Sequence, residues 1–445
     1  MGRRSDNQLS NGAPALSDDA LALEFAQAQE DYIRLIPETG SWMVWNGVCW
    51  RPDRNTVRET IRRVCREAAA EAEDRNVAMR LASAAKVTAV EALARSDSRL
   101  VARAERWDSD PWQLNTLAGI IDLQTGQLEA HDPQRSMTKL AGAVPGGAAP
   151  RWERFLGQIT EADNDLAAYL QRVAGYCLTG STREHAMFFL LGRGANGKSV
   201  FTSVLSALLG DYASTAATDL LTATHLARHP TELAHLQGQR LVLVPEVERR
   251  VRFAENRLKA LTGGDQIAAR FMRQDFFTYV PQFKLMVTGN QLPLLDGVDE
   301  AVRRRLQIIP FRKVVPMVER NPSLIDDLLH ERDGIFSWAI EGCREWFRQG
   351  LNPPAAVNEL ARFYLDNQDA IGRFIADRCE VDASLSVGST TLFKSWLKWA
   401  DEAGEQASTQ RAFVQELQSR GHPPARSATQ RLIRGLALRE QGDLA

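Results

Sequence analysis

Cysteine is scarce in this chain of 445 residues: Cys49, Cys65, Cys177, Cys343 and Cys379 stand singly, with no Cys-x-x-Cys pair. That spacing argues against a disulfide framework or a zinc site and fits a reducing cytosol. Long apolar runs are also missing. The longest, Ala186 to Leu191, is far too short to span a bilayer. The amino terminus has no hydrophobic core, so it does not read as a secretory signal, and Asp6 stands where a myristoylation signal needs Ser or Thr. A strong charge of either sign is absent too. With a formal net charge of −2, any contact with nucleic acid has to come from local basic patches. What is present is ordinary globular material, 44% hydrophobic and 25% charged, enough for about three domains. We expect a cytoplasmic protein with no membrane partner.

The chain divides by composition. Residues 1–20 read as a disordered tail and 21–140 as an accessory domain. In that domain a helix and short strands carrying Trp42, Trp45 and Trp50 precede two or three Ala-, Arg- and Glu-rich helices, and a turn then leads into a short strand at 115–123. Residues 141–150, AGAVPGGAAP, carry no charge and read as a linker. After a mostly helical stretch, apolar strands are expected at 187–191, 240–244, 283–288 and 306–311. Strands alternating with helices imply a parallel sheet covered on both faces, so the fold class is α/β. Residues 320–350 and 355–445 read as helical, with a hinge at Gly421–Pro424.

Gly192-Arg193-Gly194-Ala195-Asn196-Gly197-Lys198-Ser199 satisfies the phosphate-loop pattern G-x-x-x-x-G-K-S. A buried strand delivers this loop and a helix leaves it, which is the context the chemistry needs. Glycines let backbone N–H groups turn inward around phosphates, and the helix amino terminus adds its positive dipole end. ATP would therefore lie against Gly192, Gly194, Ala195, Asn196, Gly197, Lys198, Ser199 and Val200. Lys198 would reach the β- and γ-phosphates, and the Ser199 hydroxyl would ligate Mg²⁺. Leu241–Val244 followed by Pro245-Glu246 has the layout of a Walker B element. Glu246 is thus the first choice for the metal and the attacking water, with Glu248 the second. The strand Phe283–Thr288 runs into Gly289 and Asn290, an amide placed to sense the γ-phosphate. Arg303-Arg304-Arg305 precedes the last strand. Three in a row cannot all serve one site of their own subunit, so an arginine finger offered to a neighbour is expected from Arg304 or Arg305, with Arg303 open as well.

These elements resemble the superfamily-three helicases, and more narrowly the helicase half of phage and plasmid primase–helicases, relatives of the poxvirus uncoating-factor ATPase. The resemblance runs over roughly residues 40 to 440. It is closest at the glycine-rich loop, at Lys259-Ala260-Leu261-Thr262-Gly263-Gly264-Asp265, at the strand ending in Asn290 and at Arg304-Arg305-Leu306. It implies an AAA+ motor at 151–320, after a mixed α+β accessory domain, with a helical, winged-helix-like region at 321–445. It also implies a homo-hexameric ring that moves on single-stranded or forked DNA, in a bacterial host, beside a separate primase. A β-hairpin, Ile267–Met272 and Phe276–Val280, would reach the channel with Lys259, Arg270 and Arg273 on DNA and Phe271 or Phe276 beside them.

Other constellations carry less. His225, His229 and His235 with Glu232 lack any supporting catalytic pattern and read as surface residues. Asp108-x-Asp110 is not preceded by an apolar strand and does not read as a metal site. The tail 411–439 holds six arginines (411, 420, 426, 431, 434 and 439), which suits DNA contact or a solvated basic face.

Overall fold

The computed structural model describes residues 13–222, 231–245, 251–272, 276–295, 299–405, 407–427 and 430–439. Two compact units share them: residues 13–293 with 304–357, and residues 294–303 with 358–439.

The first unit opens with the helix Asp18–Gln29, whose amino end is capped by the Ser17 hydroxyl. A three-stranded antiparallel sheet follows, Ile33–Ile36, Ser41–Trp45 and Trp50–Pro52. The helices Arg54–Glu71, Arg75–Leu81 and Ala84–Ala94 close over it. Phe25, Trp42, Ile61 and Val90 are among the residues that form its core. A second small sheet, Gln113–Thr116, Gly119–Asp122 and Leu128–Glu129, places Leu114, Ile121 and Leu123 in a different core, that of the central sheet.

The central sheet has five parallel strands. In chain order they are β1 (Met187–Leu191), β2 (Ala213–Thr215), β3 (Leu241–Val244), β4 (Lys284–Gly289) and β5 (Leu306–Pro310), and in space the order is β5-β1-β4-β3-β2. β1, β4 and β3 have neighbours on both sides. This is why their sequences, MFFLL, KLMVTG and LVLV, are almost continuously apolar. The strand expectations are met within one residue at each end; the short β2 has no counterpart among them. The architecture is mixed α/β and compatible with a phosphate-loop domain.

Helices α1 (Asn164–Leu178), α2 (Lys198–Leu209) and α3 (Arg332–Gln349) cover the sheet. α1 and α3 approach closely because Gly175 and Gly342 meet. A Cβ on Gly175 would overlap the backbone of Gly342 and Cys343. α3 thus belongs to the core of the central sheet, with Ile335, Phe336 and Trp346 fully buried in it. The expected boundary near 320 falls instead at 357. Nor is 141–150 a free tether. Ala141, Ala143 and Ala149 are buried in the core of the central sheet, and the Val144 amide donates to Asp333 and the Gly146 amide to Ser337.

The second unit corrects the all-helical reading of 355–445. It contains the helices Ala370–Arg378, Ser389–Ala403 and Gln410–Ser419. It also holds a three-stranded antiparallel sheet of Cys379–Gly388, Pro424–Arg426 and Arg431–Leu438. Phe374, Trp396, Trp399 and Phe413 form its aromatic core.

All five cysteines are free and buried. Among the described residues no helix is long and apolar enough to cross a membrane, and no cluster of His, Cys, Asp or Glu could hold a metal ion. His235 stacks edge-on against Phe271, whereas His225 and His229 lie outside the described residues.

Candidate nucleotide site

In a parallel sheet, the loops that leave the carboxyl ends of the strands converge on one edge. Here β1 and β4 end in register, Leu191 beside Gly289. The glycine-rich loop and Asn290 therefore emerge next to each other. The Gly192 amide donates to the Gly289 carbonyl at 3.2 Å, which ties the two turns together.

The loop needs its glycines. Gly194 and Gly197 hold φ of +100° and +86°, values that side chains rarely tolerate, and Ala195 is drawn to +49°. A Cβ on Gly192 would overlap the Asn196 amide and the Phe311 carbonyl, and one on Gly197 would collide with Ile159. Asn196 is 2% exposed. Its Nδ2 donates to the Phe311 carbonyl at 3.0 Å, and its Oδ1 accepts from Lys198 Nζ at 3.0 Å. Lys198 Nζ also donates to the Gly192 carbonyl at 2.6 Å and to Asn290 Oδ1 at 3.4 Å. Three residues from two turns thus meet on one ammonium group. Ser199, in the first turn of α2, is exposed, while Val200 packs on the core of the central sheet. The Ala195 carbonyl accepts from the Val315 amide at 2.8 Å, which braces the loop from the segment after β5.

A nucleotide phosphate fits this arrangement. The loop is wound around positive φ values, a buried cation stands at its base and a helix amino terminus opens on it. Glu246 and Glu248 lie outside the described residues. β3, which leads to them, ends with Val244 beside Val287 of β4, at the same carboxyl edge as the loop.

The arginine run is split by its surroundings. Arg303 makes ion pairs with Asp366 at 2.8 Å and Asp369 at 3.6 Å inside the second unit. Arg305 is buried and donates through Nε to Thr262 Oγ1 at 3.2 Å. Arg304 is exposed. It precedes β5, whose Leu306 is level with Met187 at the start of β1. That places it at the opposite edge of the sheet from its own glycine-rich loop, about 13 Å or more away along the strand.

The hairpin has its expected base, Ile267–Ala269 paired antiparallel with Phe277–Tyr279. The Arg270 guanidinium lies over the ring of Phe276, 4.7 Å from its centre, and Phe276 is 60% exposed. Lys259 pairs with Glu255 one helical turn earlier, and Arg273 lies outside the described residues. Phe271 stacks on Phe277.

Two features are not legible in the sequence. The loop pattern includes Asn196, but nothing in it shows that this residue bridges Lys198 and Phe311. At the amino edge of the sheet, Arg240 and Lys284 are buried cations with no carboxylate in hydrogen-bonding contact among the described residues. Arg240 donates to the carbonyls of Leu178, Asp110 and Gln113 and lies over Tyr212. Lys284 donates to the carbonyls of Thr179 and Gln282 and lies over Tyr176. Burial lowers the Arg240 pKa and brings Lys284 down to about 7. The only signal for them is a lone cation at the start of each apolar strand.

Comparison with known proteins agrees with these features. Residues 20–161 match the family described as D5 N terminal like, and residues 190–305 match a family of unknown function (DUF5906). "Putative helicase L207/L206" of Acanthamoeba polyphaga mimivirus is 28% identical over 242 residues, covering 50% of this chain and 25% of that protein. "Putative helicase 022R" of Frog virus 3 (isolate Goorha) is 25% identical over 264 residues, covering 53% and 26%. The matched region thus spans about a quarter of these relatives' length. The apo structure of the NrS-1 C terminal region shares the fold, with a TM-score of 0.51, 10% identity and coverage of 95% of this chain and 100% of that one. A glycine-rich loop on a parallel sheet, a D5-like region ahead of it and helicase-named viral relatives together support a likeness of this chain to the phage-type primase–helicases.

Proposed function

We propose that the chain is an ATP-driven DNA helicase of the AAA+ superfamily-three type that serves the replication of a phage, prophage or plasmid. The observation that carries this reading is the meeting of Lys198, Asn196 and Asn290 at the carboxyl edge of the sheet. A simple phosphate cradle has no use for Asn290. An amide from the neighbouring strand, 3.4 Å from the loop lysine, suits a site that distinguishes ATP from its hydrolysis product. In this reading the loop amides and Lys198 hold the phosphates, Ser199 and Glu246 hold Mg²⁺, and Asn290 orients the attacking water. Bound Mg²⁺ would neutralise charge across the β- and γ-phosphates.

The reading includes a homo-hexamer, and the position of Arg304 supports a site shared between subunits. Exposed, and at the far edge of its own sheet, it suits completion of a neighbour's site and not of its own. Arg270 with Phe276 offers a cation and a flat ring to single-stranded DNA, to which the reading adds Lys259 and Arg273. The second unit, with helices beside a three-stranded antiparallel sheet, is read as winged-helix-like. A cytoplasmic setting completes the reading. Its test is ATP hydrolysis in mixtures of Arg304→Ala and Lys198→Ala subunits, each inactive alone. Recovered activity on mixing supports a site shared between subunits. No recovery at any ratio, with assembly confirmed by light scattering, contradicts it.

A further inference from the structure

Within the first unit, a cavity of about 620 Å³ opens where the amino-terminal sheet meets the connections of the central sheet. That size suits one small ligand. Ile36, Met43, Trp50 and Trp107 give it an apolar floor, and Ala234 and Phe271 reach it from the central-sheet region. Trp50 and Trp107 meet edge to face, with 5.5 Å between ring centres.

Most of the charge in the lining is already matched. Arg51 pairs with Asp211 at 2.6 Å. Asp108 accepts from the Thr138 amide at 2.8 Å and also from the Thr138 hydroxyl. Those two bonds hold Asp108 at a φ of +49°, a conformation that needs such support. Lys139 and His235 differ: among the described residues, neither side chain has a hydrogen bond or an ion pair. His235 only sets its ring edge-on to Phe271. Lys139 thus brings one uncompensated positive charge to an otherwise balanced wall. Its stem is closely fitted as well. Gly238 holds φ at +69°, and a Cβ there would come within 2.7 Å of Lys139 Cε, so any larger residue would push the lysine aside.

We infer that this cavity holds one nucleotide, its base on the apolar and aromatic floor and its phosphate on Lys139. The lining asks for a body that is flat and apolar, with polar edges and one negative group. A nucleoside monophosphate unit has all of these. Ser41 and Gln237 add a hydroxyl and an amide for the base edge or the sugar. An apolar protein segment would fill the floor and leave Lys139 unanswered. A triphosphate fits less well, because one ammonium offsets little of its charge and no glycine-rich turn lines the cavity. The unit can come from two sources, a free mononucleotide or one position of a single strand. Phe271 lies two residues beyond the hairpin strand Ile267–Ala269, so either would touch the hairpin and the amino-terminal sheet together. Neither the glycine-rich loop nor unwinding enters, so the cavity stands apart from the helicase reading.

The experiment is calorimetric titration of the full chain with thymidine monophosphate, thymidine and a short oligothymidylate, with ADP present to occupy the glycine-rich loop. The wild-type chain should take up one monophosphate and bind it roughly ten-fold tighter than thymidine. Lys139→Met should bind the two alike. It should also melt as wild type, since it breaks no ion pair, so a loss of affinity is not a loss of fold. Oligothymidylate that displaces the monophosphate, and itself binds roughly ten-fold weaker to Lys139→Met, would make a single strand the source. A monophosphate that the oligonucleotide does not displace would make the free nucleotide the source. Equal affinity of the wild-type chain for monophosphate and thymidine would overturn the inference. So would an unchanged preference in Lys139→Met, or no binding of the monophosphate at all.

Discussion

Replacing Asn196 by Ala separates the scaffold of the site from its chemistry. The side chain is buried and bridges the Phe311 carbonyl to the Lys198 ammonium, so its loss removes two hydrogen bonds, one of them to a charged group. The Phe311 carbonyl then lies buried without that donor. Together these effects should cost about 2 to 4 kcal/mol. Asn290, by contrast, is exposed, and Asn290→Ala should change stability by no more than about 0.5 kcal/mol. Urea titration followed by tryptophan fluorescence is the assay, because Trp152 stacks on Phe201 of α2 and reports on the helix that leaves the loop. Asn196→Ala should move the unfolding midpoint down and weaken nucleotide binding with it. Asn290→Ala should hold the midpoint and lose turnover. An unmoved midpoint in Asn196→Ala, or equal shifts in the two variants, would refute the assignment of one as scaffold and the other as sensor.

Lys284 gives a pH prediction. Its pKa in the folded chain is about 7, below the ordinary lysine value, so between that pH and the unfolded value the unfolded chain binds more protons. Stability should therefore rise with pH from about 7 to 8.5, by at most about 1.4 kcal/mol per unit; Lys284→Met should flatten that rise in denaturant titrations at each pH. The two arginines before β5 should behave oppositely: Arg305→Ala should lower the melting temperature by breaking the buried contact with Thr262, whereas Arg304→Ala should melt as wild type and lose ATPase activity. Glu246→Gln should keep ATP binding, measured by equilibrium titration, and lose hydrolysis; wild-type hydrolysis would move the role to Glu248.

The sheet is readable in the sequence because its inner strands are buried on both faces and so are spelled almost wholly in apolar residues, as MFFLL and LVLV show. The loop is readable because its geometry admits few sequences. Tertiary neighbours decide the rest. Nothing local tells that AGAVPGGAAP is pinned by Asp333 and Ser337, which lie nearly two hundred residues away. The strand Cys379–Gly388 does carry a period of two, with Cys379, Val381, Leu385 and Val387 on alternate positions. Its polar intervening residues and the helices on either side hide it. The arginines before β5 show the same limit. Three identical residues in a row receive three environments, an ion pair, solvent and a buried hydroxyl contact, and only the packing distinguishes them.

Strand displacement tests the central claim most directly. Wild-type protein and Lys198→Ala are mixed with forked and tailed duplexes of both polarities, with and without ATP and Mg²⁺. A helicase separates strands only in the wild-type reaction with ATP, and on tails of one polarity. If the wild-type protein binds these DNAs and hydrolyses ATP yet separates none of them, it is a nucleotide-switched initiator or scaffold, and the helicase assignment is wrong.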